Sequence, residues 1–341
     1  DIVSQMSILS DMALGFIAFS VGSEFKISYF KRVGVTPIVI AIFEAVVAVI
    51  FVILGLIIAG YEVPFSLVLG AIAAATAPAA TVMVIKQYKA KGPLTETLLS
   101  VVALDDAVAL IAFGFAVTVA KSIESPASGS PLLSILDPFI EIATAVVIGA
   151  LLGAIFSFIL RWFKSSSNRL ILSIAFVFLA IALSTLLNVS SLMMCMSMGA
   201  ILANVSSTSD TIMKITDSVT PPLFMIFFVI SGAELQLSVI PTIGLVGVIY
   251  VVLRVAGKMF GAWAGAALMK APETVRRWLG PTLVPQAGVA IGLSLVAESV
   301  VPQYASVIRA VVLCATLIYE IIGPMVTKIC LKKAGEISAD A

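Results

Sequence analysis

Long apolar stretches alternate with short polar linkers along the whole chain. A helix needs about 20 apolar residues to span the hydrocarbon core of a bilayer. Eleven segments meet or approach that length, with the seventh the shortest: 4–22, 37–60, 64–87, 94–121, 138–162, 170–188, 190–204, 212–232, 238–269, 280–299 and 303–331. The pattern predicts an all-α membrane protein with about eleven transmembrane helices in this chain.

The composition supports a membrane protein and excludes several other classes. Of the 341 residues, 61% are hydrophobic and only 11% are charged, whereas soluble domains carry about 25% charged residues. The net charge is +1, and no basic stripe with interleaved aromatics indicates nucleic-acid binding. Histidine is absent, which removes the usual side chain that titrates near neutral pH. We therefore expect no cofactor, and any proton chemistry must use carboxylates, Lys258 or water.

The charges of the linkers alternate and indicate an orientation. Basic side chains follow the first, third, fifth and ninth segments and close the chain: Lys26, Lys31 and Arg32; Lys86, Lys89 and Lys91; Arg161, Lys164 and Arg169; Lys270, Arg276 and Arg277; Lys328, Lys332 and Lys333. Basic loops are cytoplasmic by the positive-inside rule. The chain is expected to lie in the cell (inner) membrane with a cytoplasmic C-terminus. Because it starts at Asp1, without methionine and close to an apolar run, we also expect a fragment that lacks upstream helices.

Two of the segments are interrupted in corresponding places. The third is broken at Ala75–Ala79, and the tenth is broken by Pro281 and Val284–Gly288. Proline removes a backbone hydrogen bond, and irregular backbone at membrane depth persists only where it is buried in protein or lines a cavity. Each broken segment lies between two long ones that run in opposite directions in the two triplets: 37–60 and 94–121; 238–269 and 303–331. Such inverted repeats with paired broken helices predict a secondary transporter with its site near the midplane.

Ionisable side chains inside the apolar runs are the strongest functional signal. Six lie well inside, and Asp11 lies somewhat deep in the first segment: Glu44, Asp105, Asp106, Arg254, Lys258 and Glu320. Each charge costs about 2.5–3.5 kcal/mol if it faces lipid, so we expect them to face the interior, to pair or to be neutral. We assign Glu320, near Gly323-Pro324, a structural role, and Asp11 a funnel or packing role.

Four residues form the predicted cation site. The adjacent carboxylates of Asp105 and Asp106 can border one cavity, and the break before them offers the hydroxyls of Thr76 and Thr81 and freed carbonyls. Hard monovalent cations prefer such oxygen ligands. Simple helix packing remains the alternative for both threonines.

Two basic side chains lie on one face of the segment 238–269. Lys258 follows Arg254 by one helical turn. A buried lysine can trade protons, whereas an arginine keeps its charge. We therefore expect Lys258 to exchange protons, or alternatively to form a static salt bridge, and Arg254 to pair with Glu44. Whether Lys258 or Arg254 pairs with Asp105 is left open.

These motifs resemble those of the bacterial monovalent cation/proton antiporters. The resemblance rests on Thr76–Thr81, Lys91-Gly92-Pro93, Ala103–Asp106, Arg254–Lys258 and Val284–Val289, and it covers nearly the whole chain. It implies two crossing broken helices, marked by Pro78, Pro285 and Gln286. It also implies that Asp106 binds the cation and protons and that Asp105 pairs with Lys258.

The resemblance also implies an architecture. A core at about 37–121 and 238–331 would carry the ions, and a dimerisation scaffold at about 138–232 would make the protein a homodimer with lipid around it. The full protein would have 13 helices. An Asp-Asp pair is typical of the electrogenic branch, whereas Arg254 together with Glu44 resembles the branch with an arginine–glutamate pair, so the stoichiometry stays open.

The function that we predict is exchange of Na⁺ (or Li⁺) for H⁺ by alternating access, in the service of pH homeostasis. A K⁺/H⁺ antiporter or K⁺ efflux transporter of the same superfamily is the main alternative, and a sodium-coupled organic-anion symporter is a weaker one. An enzyme fits poorly, because an intramembrane aspartyl protease needs its two aspartates on separate helices.

Overall fold

The computed structural model describes residues 7–23, 25–28, 31, 34–124, 131–218, 222, 225 and 243–337. This part of the chain is helical and contains no strand, which confirms the all-α prediction. Thirteen α-helices are described, with a 3₁₀ turn at Pro302–Tyr304: α1 Ser7–Ser23, α2 Val35–Ile58, α3 Val63–Ile72, α4 Pro78–Gln87, α5 Pro93–Glu124, α6 Pro131–Ile159, α7 Ser166–Leu187, α8 Ser191–Val205, α9 Ser209–Asp217, α10 Gly244–Leu268, α11 Glu273–Thr282, α12 Gly288–Val300 and α13 Ala305–Lys333.

Six stretches of helix in the described residues are long and apolar enough to cross a membrane: Val35–Ile58, Pro93–Glu124, Ile140–Ile159, Ser166–Leu187, Gly244–Leu268 and Pro302–Lys333. Four shorter apolar stretches add to them, including Ser191–Val205, which corresponds to the shortest of the predicted segments. Most of the predicted segment 212–232 lies outside the described residues, as do the side chains of Asp11 and Pro78.

The chain divides into two compact units. One comprises Asp1–Lys31 and Lys121–Leu235, and the other comprises Arg32–Ala120 and Gln236–Ala341. The second unit joins two distant parts of the sequence and contains all the buried charges discussed below. The core and dimerisation roles assigned from the resemblance stay predictions.

The first unit is held together by close helix contacts around α8. A Cβ added at Gly22 of α1 would lie 2.0 Å from the carbonyl oxygen of Met196, and one added at Gly149 of α6 would lie 2.3 Å from that of Met194. Small residues let membrane helices approach in this way. The hydroxyl of Ser190 accepts a hydrogen bond from Met193 N at 3.3 Å, which caps the start of the helix.

In the second unit, glycines bring α10 against α2. Gly257, Gly261 and Gly265 recur every four residues on one face of α10, and added Cβ atoms would lie 2.6, 2.6 and 3.0 Å from Cα atoms of α2. This is the small-residue spacing that permits close helix crossing in membranes. It fixes which residues of the two helices face each other.

Both predicted interruptions are present. The first separates α3 from α4 over residues 73–77, and the second separates α11 from α12 over residues 283–287. The two breaks meet, because Ala77 N donates to the carbonyl of Pro285 at 2.9 Å. This observation supports the expectation that the broken helices cross.

The boundary predicted for the tenth segment was wrong. Its first half begins at Glu273 rather than at residue 280, and Pro281 lies inside the last turn of that helix instead of breaking it. The physical reason is the composition of α11, which alternates charged residues such as Arg276 and Arg277 with buried ones such as Leu279. An amphipathic half-helix of this kind has no continuous apolar run.

Candidate functional site

The centre of the second unit is a set of charged side chains that are fully removed from solvent. Glu44, Asp105, Arg254 and Lys258 all have 0% exposure. Uncompensated charges in such a setting cost several kcal/mol each. Their partners therefore determine whether the arrangement is stable.

Lys258 is the hub of this cluster. Its Nζ atom lies 2.8 Å from Oε2 of Glu44 and 2.9 Å from Oδ2 of Asp105. It also donates to the hydroxyl of Thr76 at 2.6 Å and to the carbonyl of Ala74. Lys258 thus forms the pair with Asp105 that the family resemblance implies, and it takes up one hydroxyl of the broken helix as well.

The expected ion pair between Glu44 and Arg254 is not formed, and Glu44 pairs with Lys258 instead. The cause is the packing of α10 on α2. Gly261 lies three residues after Lys258 on α10, and a Cβ there would lie 2.6 Å from the Cα of Glu44. The close approach at this level places the glutamate beside Lys258, one turn beyond Arg254.

Arg254 binds main-chain oxygens of both breaks. Its guanidinium donates to the carbonyls of Ala73, Val284 and Ala75 at 3.0, 2.7 and 2.7 Å, and it approaches that of Pro285 at 3.5 Å. Carbonyls at the C-terminal ends of broken helices lack helical partners, and the helix dipole makes these ends negative. One permanently charged side chain therefore stabilises both interruptions.

Two further side chains complete the support of the crossing. The ring of Tyr319 lies under the guanidinium of Arg254, with 4.6 Å from Cζ to the ring centroid. Gln286 donates to the carbonyl of Ile72, the last residue of α3, at 3.0 Å and bonds to the hydroxyl of Tyr250. The sequence predicted that Gln286 belongs to the break but did not predict its partners.

Three of the carbonyls freed by the first break already accept hydrogen bonds from buried basic side chains. We expected them to ligate a cation, but those of Ala73, Ala74 and Ala75 accept hydrogen bonds from Arg254 and Lys258. Ligation of a cation by these carbonyls stays a prediction, and a cation there would compete with the donors on α10. The side-chain oxygens near the break are the other candidate ligands.

Three buried oxygens near the break keep unused hydrogen-bonding capacity. In the described part of the chain, Oδ1 of Asp105, Oε1 of Glu44 and the hydroxyl of Thr81 make no hydrogen bond. Asp106 follows Asp105 on α5 and is half-buried, unlike its neighbour. The two aspartates therefore differ in environment: Asp105 binds Lys258, whereas Asp106 is partly accessible.

The described residues hold no group of three or more histidine, cysteine, aspartate or glutamate side chains that could bind a metal ion. Glu320 lies on α13 and is half-buried. Close to it, a Cβ at Gly323 would lie 2.6 Å from Cγ of Pro285. The Gly323-Pro324 pair thus lets α13 pass close to the second break.

A distant carboxylate fixes the helix that carries the aspartates. Glu336, 9% exposed, accepts hydrogen bonds at 2.7 Å from Leu94 N, Thr95 N and the hydroxyl of Thr95. These atoms belong to the first turn of α5, where backbone N–H groups lack helical partners. Sequence reasoning missed this cap, because 241 positions separate Glu336 from Thr95.

Comparisons with known proteins agree with this architecture. The family model described as the transmembrane sodium/hydrogen exchanger matches residues 2–333. The structure of the sodium proton antiporter MjNhaP1 from Methanocaldococcus jannaschii at pH 8 matches with a TM-score of 0.77 and 18% identity, covering 97% of this chain and 86% of that one. An electron-microscopy structure of the same antiporter gives a TM-score of 0.67 at 18% identity, with coverages of 95% and 84%. No curated protein matches by sequence. At this identity the structural matches establish the fold.

Proposed function

The chain belongs to the family of transmembrane sodium/hydrogen exchangers, and on that premise we propose that it exchanges Na⁺ for H⁺ across the cell membrane by alternating access. Li⁺ would be accepted at the same site. The observation that carries the proposal is the buried group of Glu44, Asp105 and Lys258 next to the half-buried Asp106. Ionisable groups at this depth in a membrane protein are typical of ion and proton pathways.

In this proposal Asp106 is the exchanging ligand. Its carboxylate binds the cation when ionised, and a proton displaces the cation by neutralising it. The hydroxyl of Thr81, buried and without a hydrogen bond in the described structure, is the second candidate ligand. Thr76 is a ligand only when Lys258 releases it, since the two lie 2.6 Å apart.

Lys258 would couple the movement of protons to the movement of the cation. Glu44 and Asp105 share one ammonium, so the group carries one net negative charge when all three members are ionised. Like charges in a low-dielectric site disfavour each other. A proton would therefore bind to this group of three side chains when Asp106 exchanges its cation for a proton. That proton would be transported in the same cycle, and no covalent step is needed.

Arg254 and the breaks provide a rigid frame in this proposal. Because arginine keeps its charge, its bonds to the two breaks would persist while Lys258 and Asp106 change partners. Pro78 begins α4, Pro285 lies within the second break, and Gln286 ties that break to Ile72. The unit of residues 32–120 and 236–341 would move as the transport core.

The remaining features of the proposal concern the assembly. The chain would lie in the cell (inner) membrane with its C-terminus in the cytoplasm, because the positive-inside rule assigns basic linkers to that side. The unit of residues 1–31 and 121–235 would form the interface of a homodimer. Membrane lipid and monovalent cations would be its other partners.

Reconstitution into proteoliposomes tests the proposal. With a pH gradient imposed, Na⁺ or Li⁺ should dissipate the gradient, and Asp106→Asn should abolish the effect. The matched control is Glu96→Gln, since Glu96 is an exposed carboxylate on the same helix and its loss should leave exchange intact. Dissipation by K⁺ alone would favour the K⁺/H⁺ alternative, and normal exchange by Asp106→Asn would refute the mechanism.

A further inference from the structure

A separate cavity lies beside the ion cluster, between α10 and α11. Its volume is about 780 Å³, within the range of about 300–1,000 Å³ typical of small-molecule pockets. The lining comes from one face of α10 and from α11: Ala256, Met259, Phe260, Trp263, Glu273, Arg276, Arg277, Gly280 and Pro281. None of these residues belongs to the proposed ion site.

One wall of this cleft is apolar and open. Phe260 and Trp263 are each 51% exposed, and Met259 is 42% exposed. The opposite face of α10 carries the glycines that pack on α2, so this wall is the outward side of the helix. Aromatic and thioether side chains at such exposure are suited to contact with hydrocarbon.

The floor of the cleft is set by a direct contact of the two helices. A Cβ added at Gly280 of α11 would lie 2.7 Å from the Cα of Met259. The backbones therefore touch at that point, and the larger side chains diverge from it on both sides. The cavity follows from the shape of this crossing.

The rim of the cleft is basic. Arg276 and Arg277 are both exposed, and the guanidinium of Arg277 stacks over the ring of Trp278 at 5.1 Å. Glu273 also lines the cavity, so two positive charges stand against one negative charge. These arginines lie in the first half of α11, in the basic stretch that the charge pattern of the sequence assigns to the cytoplasmic side.

We propose that this cleft binds one anionic phospholipid of the cytoplasmic leaflet. Its phosphate would bind between Arg276 and Arg277, because guanidinium groups pair well with phosphate oxygens. One acyl chain would lie along Phe260 and Met259. Basic pockets between helices on the cytoplasmic side are suited to anionic head groups, and the apolar wall distinguishes a lipid from a soluble anion.

The bound lipid would connect two elements of the ion site. α10 carries Arg254 and Lys258, and α11 ends at the second break. A ligand that binds only the folded state, in which these helices are bridged, stabilises that state by an amount that grows with the logarithm of its concentration divided by Kd. Binding itself does not depend on the proposed exchange and is measurable in a protein that transports nothing.

Native mass spectrometry of the purified full chain provides the test. We expect phosphatidylglycerol to be retained at least fivefold more than phosphatidylcholine. Arg276→Gln combined with Arg277→Gln should remove that preference. The control is Lys86→Gln with Lys91→Gln, which removes two exposed basic side chains at and just after the end of α4 and should leave the preference unchanged. If both double variants lose the preference for phosphatidylglycerol equally, the proposal is overturned and diffuse surface charge explains the retention.

A steric variant separates the cleft from its charges. Ala256→Trp fills the cavity without altering the rim, and it should also abolish retention of phosphatidylglycerol. Inorganic phosphate should not displace the lipid, so displacement at equal concentration would indicate a soluble-anion site instead. A change from dimer to monomer in Ala256→Trp, with lipid retention intact, would show that a second copy of the chain occupies the cleft.

Discussion

The ammonium nitrogen of Lys258 lies 2.8 Å from Oε2 of Glu44 on the facing helix. It lies 2.9 Å from Asp105 as well, so one lysine serves two buried carboxylates. A simple aspartate–lysine pair is electrically balanced, whereas this group is not. In the proposed exchange, the additional carboxylate would affect how many protons accompany each cation.

Glu44→Gln should therefore change the coupling. The amide keeps the shape of the side chain but cannot carry a charge or release a proton, so Lys258 and Asp105 become a balanced pair. We expect exchange to continue with fewer protons per Na⁺, measured as a shift of the reversal potential in proteoliposomes.

The comparison for Glu44→Gln is Glu62→Gln, which alters an exposed carboxylate in a linker of the same unit. That variant should keep the reversal potential of the unaltered protein. If Glu44→Gln also keeps it, Glu44 takes no part in proton movement and only supports the lysine.

Arg254→Lys should destabilise the protein even though it keeps the charge. A lysine ammonium cannot reach the carbonyls of Ala73, Ala75 and Val284 together, because these lie on two separate breaks. Each buried carbonyl left without a donor costs about 1–3 kcal/mol. We expect a loss of about 2–5 kcal/mol, seen as a lower midpoint in thermal unfolding in detergent.

A surface arginine provides the reference for that experiment. Arg161 is exposed. Arg161→Lys should change the free energy of unfolding by no more than about 0.5 kcal/mol, so the midpoint should stay where it is in the unaltered protein. Equal midpoints for Arg254→Lys and the unaltered protein would show that the guanidinium does not hold the crossing together.

Gly261→Ala tests what places Glu44 beside Lys258. The added Cβ would lie 2.6 Å from the Cα of Glu44 and from the carbonyl oxygen of Phe43. These are backbone atoms, so α2 and α10 must separate, and overpacking of this kind costs about 1–3 kcal/mol. We expect a lower unfolding midpoint together with reduced Na⁺/H⁺ exchange.

Gly247 offers a matched control on the same helix. A Cβ there would meet nothing closer than 3.9 Å, so Gly247→Ala should be neutral or slightly stabilising. If both alanine variants behave alike, close approach at Gly261 does not set the position of the glutamate.

The sequence predicted the charged residues and the breaks, but it could not predict every pairing. Asp105, Lys258 and the two interruptions are visible as departures from an apolar pattern. Periodicity shows that Arg254 and Lys258 share a face, but it does not show which of them lies level with Glu44. That depends on the offset between α2 and α10, which glycine contacts fix in three dimensions.

Two other features escaped prediction for different physical reasons. The first half of the second broken helix, Glu273–Thr282, is amphipathic, so a search for apolar runs begins too late. The donors to the carbonyls of the first break were not predicted, because they lie more than 170 positions away in the sequence. A local sequence pattern shows where backbone carbonyls lose their helical hydrogen bonds, whereas the fold determines which donors bind them instead.

Glu336→Ala should weaken the anchoring of α5. The carboxylate accepts three hydrogen bonds from Leu94 and Thr95, and a negative charge at a helix N-terminus also interacts favourably with the dipole. Loss of such a cap leaves two backbone N–H groups without a partner and costs about 1–3 kcal/mol. We expect faster hydrogen exchange at the first turn of α5 and a lower unfolding midpoint.

Glu96→Ala is the matched control for Glu336→Ala. Glu96 lies in the same first turn and has a similar charge, but its side chain is exposed. Its replacement should change the free energy of unfolding by no more than about 0.5 kcal/mol. Because α5 carries Asp105 and Asp106, a loosened start of this helix should also lower the exchange rate in Glu336→Ala. If Glu336→Ala lowers the midpoint but leaves the exchange rate unchanged, Glu336 contributes to stability alone. If Glu336→Ala and Glu96→Ala have equal effects, the three hydrogen bonds contribute nothing beyond surface charge.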